Sequence, residues 1–207
     1  MSKDLTATIE LVKRAQGGDR ESRERLINRY YDRVRRIVRI RMDSKLRRHL
    51  DTGDILQETF VSAMSAFDRF DMATESSFIN WLAVIAEHKI RDAMDHAGAQ
   101  RRDARREVSM VGGTGKDPDE EQNLAEVLPE EAPSPLTRMQ IKEASTQLED
   151  AIHDLPEQYR EVILLRDYSG CSWDEIAKET GRPTESAARM VHARAMVALS
   201  KRMQTDG

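Results

Sequence analysis

The chain has 207 residues, with 39% hydrophobic, 34% charged and only 5% aromatic, a balance that suits amphipathic helices and excludes an aromatic-rich β-sandwich. The formal net charge of −4 argues against a uniformly basic nucleic-acid binder, but the charge is uneven: residues 1–106 hold 22 Lys+Arg against 17 Asp+Glu, residues 107–150 hold 3 against 11, and residues 151–207 hold 8 against 9. A single cysteine, Cys171, excludes an internal disulfide, no Cys/His cluster has metal-site spacing, and no apolar run has the length of a signal peptide or membrane span, so a cytoplasmic protein without cofactor or metal is expected.

In chain order, nearly everything reads as helix, and the fold class expected is all-α: two small helical domains joined by a flexible acidic linker. Thr6–Gln16 is a short amphipathic segment ended by Gly17 and Gly18. From Arg20 to Leu50, Leu26, Ile27, Tyr30, Val34, Ile37 and Val38 recur at spacings of three and four, which predicts one long helix. Its other face is dense in arginine: Arg29, Arg33, Arg36, Arg39, Arg47 and Arg48. Thr52 is placed to cap a third helix over Asp54–Phe67, with Ile55, Leu56, Phe60 and Met64 on its apolar side. The polar stretch Asp68–Ser76 precedes a fourth helix, Ser77–Ala97, whose inner face carries Phe78, Trp81, Leu82 and Ile85.

Residues 107–137 hold Gly112, Gly113, Gly115, four of the six prolines and most of the acidic excess. Such a composition buries too little apolar surface to offset the entropy of ordering, and it reads as a linker. The boundaries expected are 1–106 for the first domain, 107–138 for the linker and 139–207 for the second. Helical pattern resumes near Met139, and Pro156 opens a further helix to Tyr168.

Ser172–Val191 has the grammar of a helix-turn-helix. Ser172 and Glu175 form a capping-box pair, Ile176 and Ala177 face inward, Gly181 supplies the turn and Thr184 caps the second helix. In that motif the second helix enters the major groove; Thr184, Glu185, Ser186 and Arg189 take base-facing positions, and Arg182 and Arg194 face phosphates. A motif this short also fits a helical hairpin that packs on a protein partner. Trp173 reads as core under the hairpin, Cys171 as a small buried filler, and His192 as a packing residue. A conventional repressor would need a dimer helix, and no heptad pattern provides one. An enzyme finds no support either, because Gly112–Gly115 lies in the linker without a strand before it and no nucleophile–His–acid set exists.

The stretch Asp51–Phe70 decides between these readings. Asp51, Asp54, Ile55, Gln57, Glu58, Thr59 and Phe60 follow the pattern Asp-x-x-Asp-aliphatic-x-Gln-Glu-Thr-Phe. It resembles region two of the extracytoplasmic-function (ECF) sigma factors of bacteria. Ser77–Ala86 is similar to that family's Phe-x-x-Trp-Leu-x-x-Ile-Ala segment, and Leu155–Arg166 together with the helix-turn-helix is similar to its region four. The resemblance implies a sigma subunit, not an enzyme, that binds core RNA polymerase and directs promoter-specific initiation. It implies that Asp51, Asp54, Gln57 and Glu58 meet an arginine-rich clamp coiled coil of the polymerase; a metal-binding carboxylate cluster is the weaker reading, since no His joins the set.

It further implies that the Asp68–Ser76 loop and the outer face of the fourth helix (Asn80, His88, Arg91, Asp95) contact the melted promoter strand, with Arg101, Arg102, Arg105 and Arg106 on its phosphates. The region-four helix reads a duplex element. The linker is then a plain tether or an acidic mimic of nucleic acid near the active-site channel. The partners implied are core RNA polymerase, promoter DNA and, as for many of the family, an anti-sigma factor, with the free chain monomeric and not inserted in a membrane. The chain departs from the family pattern at His88, where asparagine is usual, and Gly181–Ala188 aligns in two registers one residue apart.

Overall fold

The computed structural model describes residues 3–70, 75–104 and 134–205, and every regular element within them is helical. Helix α1 (Lys3–Gln16) ends where Gly18 adopts a left-handed φ of 92°, a conformation that glycine takes without steric cost. Asp19 then caps α2 (Arg20–Arg41), its carboxylate accepting from the Glu21 N–H at 3.1 Å and from the Ser22 hydroxyl at 2.7 Å. Those bonds hold the Asp19 carboxyl below the usual carboxylate range, the Ser22 hydroxyl contributing most.

The helix expected over Arg20–Leu50 is shorter. Met42 turns extended, the Asp43 carboxylate accepts from the Leu46 N–H, and a single 3-10 turn follows at Leu46–Arg48. The cap of α3 (Thr52–Ala66) is also corrected. Asp51, with an extended backbone, accepts from the Gly53 N–H at 2.6 Å, and Thr52 is the first helical residue.

Leu26, Tyr30, Val34, Ile37 and Val38 of α2 are fully buried against α1, α3 and α4 (Glu75–Ala104). The scarce aromatics gather at the end of α3. Phe70 stacks on Trp81 at 4.6 Å, and Phe78 meets Tyr30, Phe67 and Phe70 edge-on at 5.0, 6.2 and 5.4 Å. Gln16 fastens this corner, donating to the carbonyls of Phe67 and Phe70 at 3.2 and 2.6 Å. Helix α4 continues seven residues past the expected Ala97, through Gln100, Arg101 and Arg102, which are good helix formers.

The last four helices begin inside the stretch read as linker. Ser134 caps α5 (Pro135–His153), accepting from the Thr137 N–H at 3.2 Å, and Pro135 sits at the first helical position, where its missing N–H costs nothing. Residues 105–133, which include Arg105, Arg106 and nearly all of the expected linker, lie outside the described residues. Helix α6 (Glu157–Ile163) runs into a π-helical turn (Leu164–Tyr168), and α7 (Trp173–Glu179) and α8 (Glu185–Thr205) follow. Val162, Ile163, Ile176, Ala188, Ala195 and Leu199 are buried between α6, α7 and α8.

Helix α2 is shared by both groups of helices. Part of its arginine face (Arg33, Arg39 and Arg41), together with Arg47 of the 3-10 turn, receives α5, α6 and the π turn, while Arg29, Arg36 and Arg48 stay exposed. Arg39 donates to Glu149 at 2.6 Å, a pair only 13% and 5% exposed. Arg41 forks onto both oxygens of Glu161 at 2.8 and 3.2 Å and also reaches Glu87 at 3.1 Å. Arg47 pairs with Asp150, and Arg33 donates to the Tyr168 carbonyl at 3.2 Å. The His153 ring nitrogen Nδ1 lies 2.8 Å from the Ile40 carbonyl. Desolvation offsets much of the attraction in such pairs, so they fix which faces dock more than they add stability.

Candidate polymerase and nucleic-acid interfaces

Asp51, Asp54, Gln57 and Glu58 are all exposed on the first two turns of α3 while Ile55, Leu56, Thr59 and Phe60 are buried beneath them. The buried Thr59 hydroxyl donates to the Ile55 carbonyl at 2.6 Å, so a polar residue inside this face is satisfied within its own helix. Spacings of three and four place Asp54, Gln57 and Glu58 on one side, where they line a shallow depression with Val61, Ser62 and Lys89. Asp51 belongs to the same end but is engaged as the cap. Lys89 of α4 makes a long ion pair with Glu58 at 4.0 Å, and the Glu58 side chain stays 62% exposed, so the pair adds little.

One turn further on, Ile27, Phe60, Val61, Met64 and Ser65 line an apolar groove, and Val61 is 60% exposed. Tyr31, itself 40% exposed, stacks on Phe60 at 5.9 Å and forms a wall nearby. The acidic face therefore adjoins an exposed apolar one. The acids are legible in the sequence motif; the groove is not, because Ile27 and Val61 come from different helices and meet only in the fold. A partner that fits both would bring cationic side chains beside a hydrophobic one.

On α4, His88, Arg91 and Asp95 are exposed, and Arg91 pairs with Glu87 at 3.1 Å. Asn80, expected on the same outer face, is half-buried and donates to the Cys171 sulfur at 3.2 Å across the boundary with the C-terminal helices. Arg101 and Arg102 lie on α4, but their side chains fall outside the described residues, as do residues 71–74 of the Asp68–Ser76 loop.

The helix-turn-helix has the expected local chemistry. Ser172 and Glu175 complete a reciprocal capping box at 2.7 and 3.3 Å. Gly181 takes φ 63°, and the Thr184 hydroxyl accepts from the Ala187 N–H at 3.2 Å. Thr184, Glu185, Ser186, Arg189 and Arg194 are exposed along one end of α8. Arg182 is half-buried, with one guanidinium nitrogen on Gln158 at 3.0 Å, so its fork is oriented by the protein. Arg189 bonds Glu185 at 3.2 Å and lies over the Trp173 ring at 5.1 Å, as Arg166 does at 4.5 Å. Trp173 is thus a platform that orients two arginines, and His192 packs edge-on against it at 5.4 Å while bonding Asp167 at 2.8 Å. Among the described residues no group of His, Cys, Asp and Glu could hold a metal ion, and no helix is long and apolar enough to cross a membrane.

Two family models match the chain: sigma-70 region 2 over residues 26–102, which holds the α3 face and all but the last two residues of α4, and sigma-70 region 4 over residues 145–199, which holds the helix-turn-helix. The chain is 31% identical to the ECF RNA polymerase sigma-E factor of Escherichia coli K12 over 184 residues, spanning 86% of this chain and 84% of that one. The chain belongs to the ECF sigma factors. The sigma-E factor of Haemophilus influenzae is 28% identical over 198 residues, 95% of this chain and 96% of its own. This sigma factor also shares its fold with CnrH, solved with the cytosolic domain of CnrY (TM-score 0.53, 22% identity, 95% of this chain and 97% of that one). A second solved likeness is the sigma factor RpoE of Bartonella quintana in complex with the anti-sigma factor NepR (TM-score 0.51, 17% identity, 89% and 98%). Membership makes the chain a factor for promoter-specific initiation by RNA polymerase.

Proposed function

We propose that this sigma factor seats the acidic and apolar faces of α3 on core polymerase and reads two promoter elements with its two halves. The observation that carries the reading is the adjacency on α3: Asp54, Gln57 and Glu58 stand exposed beside the Ile27–Phe60–Val61–Met64 groove, inside the region 2 match. Carboxylates meet arginines by charge-assisted bonds, and the groove accepts the apolar contacts that give such a contact its affinity.

Residues 1–106 then form the polymerase-binding and strand-reading unit, with Asn80, His88 and Arg91 toward the melted strand and Arg101 and Arg102 along its phosphates. Residues 139–207 form the duplex-reading unit. Thr184, Glu185, Ser186 and Arg189 face bases, and Arg182 and Arg194 face phosphates. Residues 107–138 connect them. The chain acts in the cytoplasm, without a cofactor, and an anti-sigma factor is its partner, in keeping with the complex of the Bartonella protein with the anti-sigma factor NepR.

Charge reversal of Asp54 and Glu58 to lysine tests the seat. Co-purification with core polymerase should fall at least tenfold while helicity by circular dichroism is unchanged. Undiminished co-purification of the folded variant would refute it.

A further inference from the structure

Helix α8 buries Ala188, Ala195 and Leu199 against its neighbours, with Val191 half-buried beside them. On the opposite side Ser186, Met190, Ala193 and Val197 follow at steps of four, three and four, and all are exposed. The two large members, Met190 and Val197, are 56% and 57% exposed. Arginine frames this stripe. Arg189 is pinned over Trp173 and against Glu185 on one side, and Arg194 stands exposed on the other. The outward face of the helix is therefore apolar along its centre and cationic at its edges.

A helix with cationic edges, laid in the major groove, finds phosphates on both sides and base edges beneath its centre. Those base edges offer hydrogen-bonding groups and a single apolar one, the C5 methyl of thymine. Met190 lies in the second turn of α8, within the part of such a helix that reaches base edges, whereas Val197 lies two turns further on. The methionine side chain is unbranched and polarizable, so it can settle closely against a methyl group. A polar base edge under it would lose water and gain no hydrogen bond. From this geometry we infer that Met190 selects a thymine in the duplex promoter element by burying its C5 methyl, beside the base that Arg189 bonds. The inference rests on the duplex-reading role proposed for α8.

Uracil tests it, because uracil pairs as thymine does and lacks only that methyl. A duplex pool randomised upstream of a fixed, mismatched bubble is selected on holoenzyme carrying the wild-type chain. The selected duplex is resynthesised with uracil in place of each thymine of the upstream element in turn. At one position the wild-type holoenzyme should bind the uracil duplex about fourfold more weakly, the effect of one methyl group left in water. Met190→Ala should bind the two duplexes alike at that position. Met190→Leu, an apolar side chain of similar volume, should discriminate again. Co-purification with core polymerase should be the same for all three chains.

A selected element without thymine, or wild-type holoenzyme indifferent to uracil at every thymine, overturns the inference. Discrimination that survives Met190→Ala and falls on Val197→Ala overturns the assignment to Met190. Intact discrimination in Met190→Ala together with reduced co-purification moves the stripe to a protein contact and overturns it as well. The duplex reading fails by a different result: holoenzyme that binds a scrambled upstream duplex as tightly as the selected one overturns that reading, and the methyl contact with it.

Discussion

Arg189 shows how one side chain answers to two environments. Its guanidinium is pinned over Trp173 and against Glu185, which orients it at the exposed end of α8 before any DNA arrives. An arginine held in this way loses little entropy when it forms two hydrogen bonds to a base edge. Arg189→Ala should therefore weaken binding of the cognate duplex element by about 1–3 kcal/mol, and Arg189→Lys should not restore it. Titration of holoenzyme on duplexes varied one base pair at a time checks this. A loss equal over all sequences would assign Arg189 to a phosphate. Cys171 is the opposite case, a residue whose reactivity the fold suppresses. Burial pushes its thiol up to about 11, the Asn80 bond acting weakly the other way. With the folded value above the ordinary one, this group's contribution to folding stability is fully present below pH 9 and is lost as pH rises through about 11.

At the scale of elements, the helix-turn-helix was legible because each part is local. Ser172, Glu175, Gly181 and Thr184 perform in the structure the capping and turning that their spacing announces. Ser172→Ala removes one side of the capping box and should cost about 1 kcal/mol, read as a fall in the midpoint of thermal unfolding; an unchanged midpoint would show the cap to be idle. Helix ends elsewhere were less legible. Whether Asp51 or Thr52 caps α3 depends on a single backbone angle, and both residues are good caps. The stop of α2 at Arg41 depends on the Asp43 turn, for which the apolar repeat gives no signal. The α2 arginines were visible as a face, but nothing local tells a solvated arginine face from a docking one. That distinction needs the carboxylates of α5 and α6, more than a hundred residues away.

For the whole molecule, family and fold followed from three motifs in order, since each spans its own helix or hairpin. The relation between the halves did not, because it is written only in long-range pairs such as Arg39–Glu149. On the proposed reading, in which DNA is bound from a seat on polymerase, the chain needs no strong positive field overall, in keeping with its net charge of −4. Run-off transcription by core polymerase over a pool of genomic promoter fragments, with and without the chain, tests this most directly. The account predicts new transcripts from a small set of promoters sharing two spaced elements, all lost with Asp54→Lys and Glu58→Lys. The same transcripts from core polymerase alone, or none in the presence of the chain, would contradict it.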